Sequence, residues 1–191
     1  WLSLTQPQLE WFASFWRYDA ACPEYLRHYQ YQLLKKRDNG MRLIEKPKTT
    51  LKCLQRKIYD EILCTLQTHP AAHGFCKGRS CLSHASLHAG KSYVLLFDIA
   101  ECFQSIEWIK VKSVFTAMGY PETVANYLTA LCTHSVRLNQ KKSTGFSAAQ
   151  RSRLKERHLP QGAPTSPALA NAVLYGLDLR LTGLAKSLGL S

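Results

Sequence analysis

Residues 159–171 read Leu-Pro-Gln-Gly-Ala-Pro-Thr-Ser-Pro-Ala-Leu-Ala-Asn. Three prolines and a glycine between Leu159 and Pro167 rule out a regular element there, because each proline fixes its own φ and lacks an N–H donor. Pro167 then suits the first turn of a helix. Leu169, Val173, Leu177, Leu181 and Leu184 follow at helical spacing, to about residue 188. A loop holding backbone amides, Gln161 and the Thr165 and Ser166 hydroxyls ahead of a helix start can receive an anionic or sugar-bearing ligand. A rigid turn before a helix would use the same residues, so the surroundings must decide.

Upstream, Tyr93–Asp98 (YVLLFD) is a short apolar run ending in a carboxylate, and its length and flanks predict a buried strand. A carboxylate at the end of such a strand is costly unless it is paired or bound to a metal, which makes Asp98 the first candidate for chemistry. Capping the next helix is its plain alternative. Phe103, five residues on, reads by itself as core. Helices are expected at about 105–118, closed by Gly119, and about 121–133, opened by Pro121. The polar, basic stretch 139–158 reads as a mobile loop.

Nearer the N-terminus, Thr5 can cap a helix with Leu9, Phe12, Phe15 and Trp16 on one face. The alternating run 29–34 (YQYQLL), the punctuation Asp38-Asn39-Gly40 and the stretch 41–47 predict a β-hairpin. Thr49 or Thr50 opens a helix with the apolar stripe Leu51, Leu54, Ile58, Ile62 and Leu66; Lys52, Arg56 and Lys57 lie on its other face. A glycine-containing loop at 69–82 and a short helix at about 83–89 follow. The order is mixed α/β, not a parallel wound sheet, and no glycine-rich phosphate loop or nucleophile elbow is present.

The chain has 191 residues, 46% of them apolar, which suffices for a core, and no apolar run is long enough to span a membrane. Its net charge is +12, and the charge is concentrated. Residues 35–57 carry a net +7 and residues 137–158 a net +6, so the remainder is almost neutral. Two basic stretches on a neutral body favour a groove for a polyanion such as nucleic acid over two solvated faces. The seven cysteines are odd in number and lack a Cys-x-x-Cys, which favours free thiols in a reducing cytoplasm. His73, Cys76, Cys81, His84 and His88 have types that suit zinc, but their spacing matches no common finger.

These segments together resemble the reverse transcriptases. Leu159–Asn171 is similar to the family's motif between its two catalytic carboxylate motifs, and Phe97–Phe103 to its first catalytic motif. Arg42-Leu43-Ile44-Glu45-Lys46-Pro47, with Leu51-Lys52 and Gln55-Arg56, resembles the fingers segment; Ala72-His73-Gly74-Phe75 with Gly78-Arg79-Ser80 resembles the next block. The motifs occur in family order from about residue 27 to the end. His84-Ala85-Ser86-Leu87-His88 resembles an element of the bacterial retron type, with His84 in place of the usual Asn. Group II intron, diversity-generating and phage-defence enzymes stay open as alternatives.

The resemblance implies an α+β fold, the fingers and partial palm of a right-hand polymerase with the thumb absent. Residues 1–26 would be an N-terminal helical segment, 27–90 the fingers and 91–191 the partial palm, with the basic loop at 139–158. It implies RNA-directed DNA synthesis by two-metal nucleotidyl transfer. Asp98 would bind both Mg²⁺ ions and the Ile99 carbonyl one of them. Phe103 would lie under the sugar and exclude a 2′-hydroxyl. Gln161 and Gly162 would line the incoming dNTP, and Arg42 with Lys36 would hold its triphosphate. Lys52, Arg56, Arg79, Lys141, Lys142, Arg151 and Arg153 would meet nucleic acid. The implied partners are an RNA template or structured non-coding RNA, the DNA product and possible effector proteins in phage defence. Cys102 replaces an aromatic that usually precedes Phe103. The family's Tyr-x-Asp-Asp motif is not reached before Ser191, so a truncated, inactive piece is expected. The rival reading is a non-catalytic RNA-binding protein on a truncated polymerase fold.

Overall fold

The computed structural model describes residues 1–13, 23–36, 40–136 and 145–190. Helix α1 (Gln6–Ala13) starts at Thr5, whose Oγ1 accepts from the Gln8 amide at 3.4 Å while its own N–H donates to Gln8 Oε1 at 2.9 Å. This reciprocal pair satisfies two donors that a helix start leaves open. Phe12 is buried; Phe15 and Trp16 lie outside the described residues.

Strands β1 (Tyr29–Lys35) and β2 (Met41–Pro47) form the expected antiparallel hairpin, with Tyr29 opposite Pro47 and Lys35 opposite Met41. Asp38 and Asn39 lie outside the described residues. Along β2, Leu43, Glu45 and Pro47 are buried while Arg42 and Lys46 are exposed, the alternation a half-buried strand requires. Helix α2 (Thr49–Glu61) buries Leu51, Leu54 and Ile58 and leaves Lys52 and Arg56 outside.

Short helices α3 (Cys81–Ser86) and α4 (Cys102–Ser105) precede the packed pair α5 (Trp108–Ala117) and α6 (Glu122–Cys132). The helix expected at about 105–118 is α5, which starts three residues later, after the separate short α4. Ile106 is extended between them, and its carbonyl accepts from the Leu159 amide at 3.2 Å. Helix α7 (Ala148–Lys155) and the long α8 (Ser166–Ser187) complete the described fold. The main core joins Phe12, Tyr29, Leu51, Ile58, Val111, Phe115, Leu128, Leu131, Leu159 and Leu169. It draws on all three stretches, 1–26, 27–90 and 91–191.

Two expectations fail. Tyr93–Asp98 is not a buried strand. It is irregular, and Tyr93, Leu96 and Phe97 are about nine-tenths exposed. A buried strand needs neighbours to take its N–H and C=O groups, and the only sheet among the described residues is the β1–β2 pair. The second concerns 139–158, of which 139–144 lie outside the described residues. Residues 148–155 form α7, capped by Ser147, whose Oγ accepts from the Gln150 amide at 3.1 Å. Leu154 and Phe146 pack with Leu43 and Val136 in a second small core, and this burial holds α7 in place. Helix α8 forms as expected, but only its first turns are buried, at Ser166, Leu169 and Ala170; Leu177, Leu181 and Leu184 are exposed. No helix among the described residues is long and apolar enough to cross a membrane.

Candidate functional site

A cavity of about 360 Å³ opens between the hairpin and the start of α4. The hairpin contributes Lys36, Met41, Arg42 and Leu43. The segment after the exposed apolar run contributes Asp98, Ile99, Glu101 and Phe103, and the 159–167 loop contributes Gln161. Six residues separated by up to 125 positions in the chain, namely Lys36, Arg42, Asp98, Ile99, Phe103 and Gln161, thus share one wall system. Gly162 faces away from this cavity, into two adjoining grooves shared with Lys52 and Arg56. Phe103 and Gln161 border both the cavity and one of those grooves.

The remaining basic candidates are placed differently. Arg79 donates to the carbonyls of His69 and Ala72 and so braces its own loop. Arg151 donates to the Phe146 carbonyl at 2.7 Å, and Arg153 pairs with Glu101 at 3.2 Å. Lys141 and Lys142 lie outside the described residues. Arg157, in the same basic stretch, donates to the carbonyls of Ala130 at 2.6 Å and Thr133 at 2.9 Å, closing the end of α6. The structure brings neither Arg79 nor Arg151 to the cavity wall, because both are used by local backbone.

Several residues at the site were not read from the sequence. Gln104 donates to Gln161 Oε1 at 3.3 Å and orients that side chain. Glu101 sits in the left-handed region at φ 55, and its carboxylate accepts from Gln150 and Arg153 of α7. A non-glycine residue held at positive φ over a cavity is backbone fixed by its surroundings. Phe146, Gln150 and Leu154 supply the far wall. Only capping of α7 had a sequence signal, the Ser147-x-x-Gln150 pair. The Cys102 thiol is raised, by burial first and then by the nearby Asp98 carboxylate.

The oxygen donors present, the Asp98 carboxylate and the Ile99 carbonyl, are of the kind magnesium takes. Among the described residues, however, no group of three or more His, Cys, Asp or Glu side chains could hold a metal ion. The donor chemistry fits the metal, for which Asp98 and Ile99 would supply two oxygen ligands. The same observation covers the histidines and cysteines of 73–88, where His73 donates to or accepts from Ser83 Oγ at 2.9 Å and the His84 and His88 rings meet edge to face.

A profile of the reverse transcriptase (RNA-dependent DNA polymerase) family matches residues 34–185, which is most of the chain and every wall residue of the cavity. The chain belongs to the reverse transcriptase family. It is 38% identical over 189 residues to the Retron Mx162 reverse transcriptase of Myxococcus xanthus, covering 98% of this chain and 37% of that protein. It is 40% identical over 167 residues to the Retron Mx65 reverse transcriptase of the same organism, covering 87% and 38%. With the Retron Ec86 reverse transcriptase of Escherichia coli it shares 34% identity over 153 residues, covering 80% and 41%. The chain therefore spans about two-fifths of the length of these relatives. Within the family, the retron type named from the 84–88 element is the type of these relatives, and the α+β fold is that of the family's fingers and partial palm.

Proposed function

We propose that this chain forms the nucleotide-binding half of a retron-type RNA-directed DNA polymerase. The observation that carries the reading is the single cavity joining Lys36 and Arg42 to Asp98, Ile99, Phe103 and Gln161. Two cations on the hairpin suit a triphosphate, and the Arg42 fork can bind phosphate oxygens two at a time. Phe103, on the cavity wall, would form an apolar floor for the sugar and exclude a 2′-hydroxyl. Gln161, oriented by Gln104, reads the nucleotide from the loop side. Asp98 and the Ile99 carbonyl would contribute to a magnesium site completed by other carboxylates of the whole protein. Such ions lower the pKa of the primer hydroxyl and stabilise charge on the phosphates when bound.

The adjoining groove at Lys46, Lys48, Lys52 and Arg56 carries four cations and no carboxylate, and it suits the template or a structured RNA. A role in phage defence with a partner effector, in the cytoplasm, extends the same reading. So does a fingers unit at 27–90 beside a partial palm at 91–191.

Primer extension on an RNA template by the full-length protein carrying this chain tests the proposal. Asp98→Asn should reduce extension by about 10³-fold or more, since it removes charge that a metal needs. Phe103→Ala should admit ribonucleotides. Equal extension by wild type and Asp98→Asn would overturn the assignment. The RNA-binding alternative rests on the basic groove at Lys46, Lys48, Lys52 and Arg56. It predicts salt-dependent RNA binding with no extension by wild type.

A further inference from the structure

The most deeply buried charged contact of the described fold lies behind the cavity. Glu45 of β2 and His158, both 0% exposed, meet at 3.1 Å between Oε1 and Nε2. The other ring nitrogen of His158, Nδ1, faces the Glu156 carbonyl oxygen at 2.8 Å. Acceptors stand at both ring nitrogens, and an imidazolium donating to each satisfies both. Oε2 of Glu45 has no hydrogen-bond partner among the described residues, so the carboxylate depends on this one contact.

Around the pair, both strands of the hairpin are tied to the chain that enters the loop. His158 exchanges two backbone hydrogen bonds with His134, each 2.9 Å. The His134 ring stacks on Tyr29 at 4.0 Å, and its Nε2 lies 2.6 Å from the Tyr31 hydroxyl oxygen. Three residues beyond His158 the chain returns to the same strand position, where the Glu45 N–H donates to the Gln161 carbonyl at 2.8 Å. Beside it, a β-carbon on Gly162 would stand 3.0 Å from the Glu45 carbonyl oxygen. One residue of β2 therefore grips the loop twice, by its side chain at 158 and by its backbone at 161.

A buried ion pair contributes little net stability against an apolar replacement, and what it can fix is register. Here the register is that of Arg42 on the hairpin against Gln161 on the loop. We propose that Glu45 and His158 are positioning residues of the nucleotide cavity, locking the hairpin wall to the loop wall so that the two close on the nucleotide as one unit. The inference rests on the polymerase reading of the cavity.

The test has two arms. In single-nucleotide primer extension by the full-length protein, Glu45→Gln and His158→Gln should each raise KM for the dNTP about tenfold while kcat stays within about threefold. The double variant should be no worse than either single one, because both remove the same contact. Ile58→Val, a packing change remote from the cavity, should leave KM unchanged. In hydrogen exchange on the full-length protein, both polar variants should speed exchange across 159–165 and leave Trp108–Ala117 unchanged. Unchanged KM, additive single effects, or a KM rise equalled by Ile58→Val would overturn the proposal, as would unchanged exchange at 159–165. If Glu45→Gln fails to fold, Glu45→Asp, which keeps the charge and shortens its reach, takes its place in both arms with the same expected results. Failure of the wild type to extend a primer would sink the polymerase reading, while the exchange arm still decides whether the lock exists.

Discussion

At the scale of single residues, what matters is how little freedom the loop wall has. Gly162 has φ +130, and any side chain there would meet the Glu45 carbonyl oxygen at 3.0 Å and Ile44 Cγ2 at 3.3 Å. Gly162→Ala combines disfavoured backbone with a backbone clash and should cost about 1–3 kcal/mol, read from urea midpoints. An unchanged midpoint would show that the seam between β2 and the loop is looser than described. Cys132 is the opposite of a reactive thiol: burial pushes it up to about 12, and it is 0% exposed. Since the thiolate is the nucleophile, thiol reagents should label the exposed Cys53, Cys64 and Cys81 in the native protein and reach Cys132 only after denaturation. Peptide mass mapping of a labelling time course checks this, and early labelling at Cys132 would contradict the packing of α6.

At the scale of elements, α7 shows how a polar segment becomes ordered. Its sequence is basic with a weak apolar face, and its order comes from its ends. The Ser147–Gln150 box satisfies the first turn, and Leu154 enters the small core with Leu43 and Phe146. Gln150 joins the two tasks, accepting from the Ser147 N–H at 2.7 Å and donating to Glu101. Ser147→Ala should therefore weaken the local stability of α7 by about 1 kcal/mol. Amide exchange should show this as faster exchange confined to 148–155, and exchange that stays as slow as in wild type would mean that the tertiary contacts alone hold the helix. The hairpin and α2, in contrast, were legible from their periodicity. Alternation placed β1 and β2, and the Leu51, Leu54, Ile58 stripe placed α2 against the core. Glu45 was missed because a carboxylate in a basic stretch reads as solvated. Its place two residues from Leu43, on the inward face of β2, was the available signal.

At the scale of the whole molecule, two buried histidines side by side make stability depend on pH with opposing signs. Burial alone would lower His158, but the Glu45 hydrogen bond and charge, with the Glu156 and Arg153 carbonyls, outweigh it and raise it. His134 lies well below the ordinary value, through burial first and then the positive charges of His158, Arg157 and His28. The stability that His158 supplies is complete below its unfolded value of about 6.5 and is lost as pH rises through its raised folded value. His134 stays neutral in the fold, so its contribution is present above about 6.5 and is lost as pH falls towards its depressed folded value. In His158→Gln the loss on the alkaline side should disappear and the loss on the acid side remain. In His134→Phe the pattern should reverse. Urea midpoints between about pH 5 and 8.5 would show this, and an alkaline loss that survives His158→Gln would assign it elsewhere.

The sequence by itself determined the hairpin, α2, α8, the family motifs and part of the cavity wall, because periodicity, proline and glycine placement and motif order are written along the chain. The meeting of Lys36, Arg42, Asp98, Phe103 and Gln161 was expected from their motifs, and the cavity holds all five. Only the tertiary structure decided which polar groups are braces and which face the cavity, since hydrogen-bond partners distant in the chain carry no local signature. Arg157 at the end of α6 and Arg153 on Glu101 look the same in sequence as the exposed Lys52 and Arg56. The tertiary structure also decided the fate of Tyr93–Asp98. Its apolar residues have the composition of a strand, but a strand exists only where neighbouring backbone receives its hydrogen bonds, and among the described residues none does.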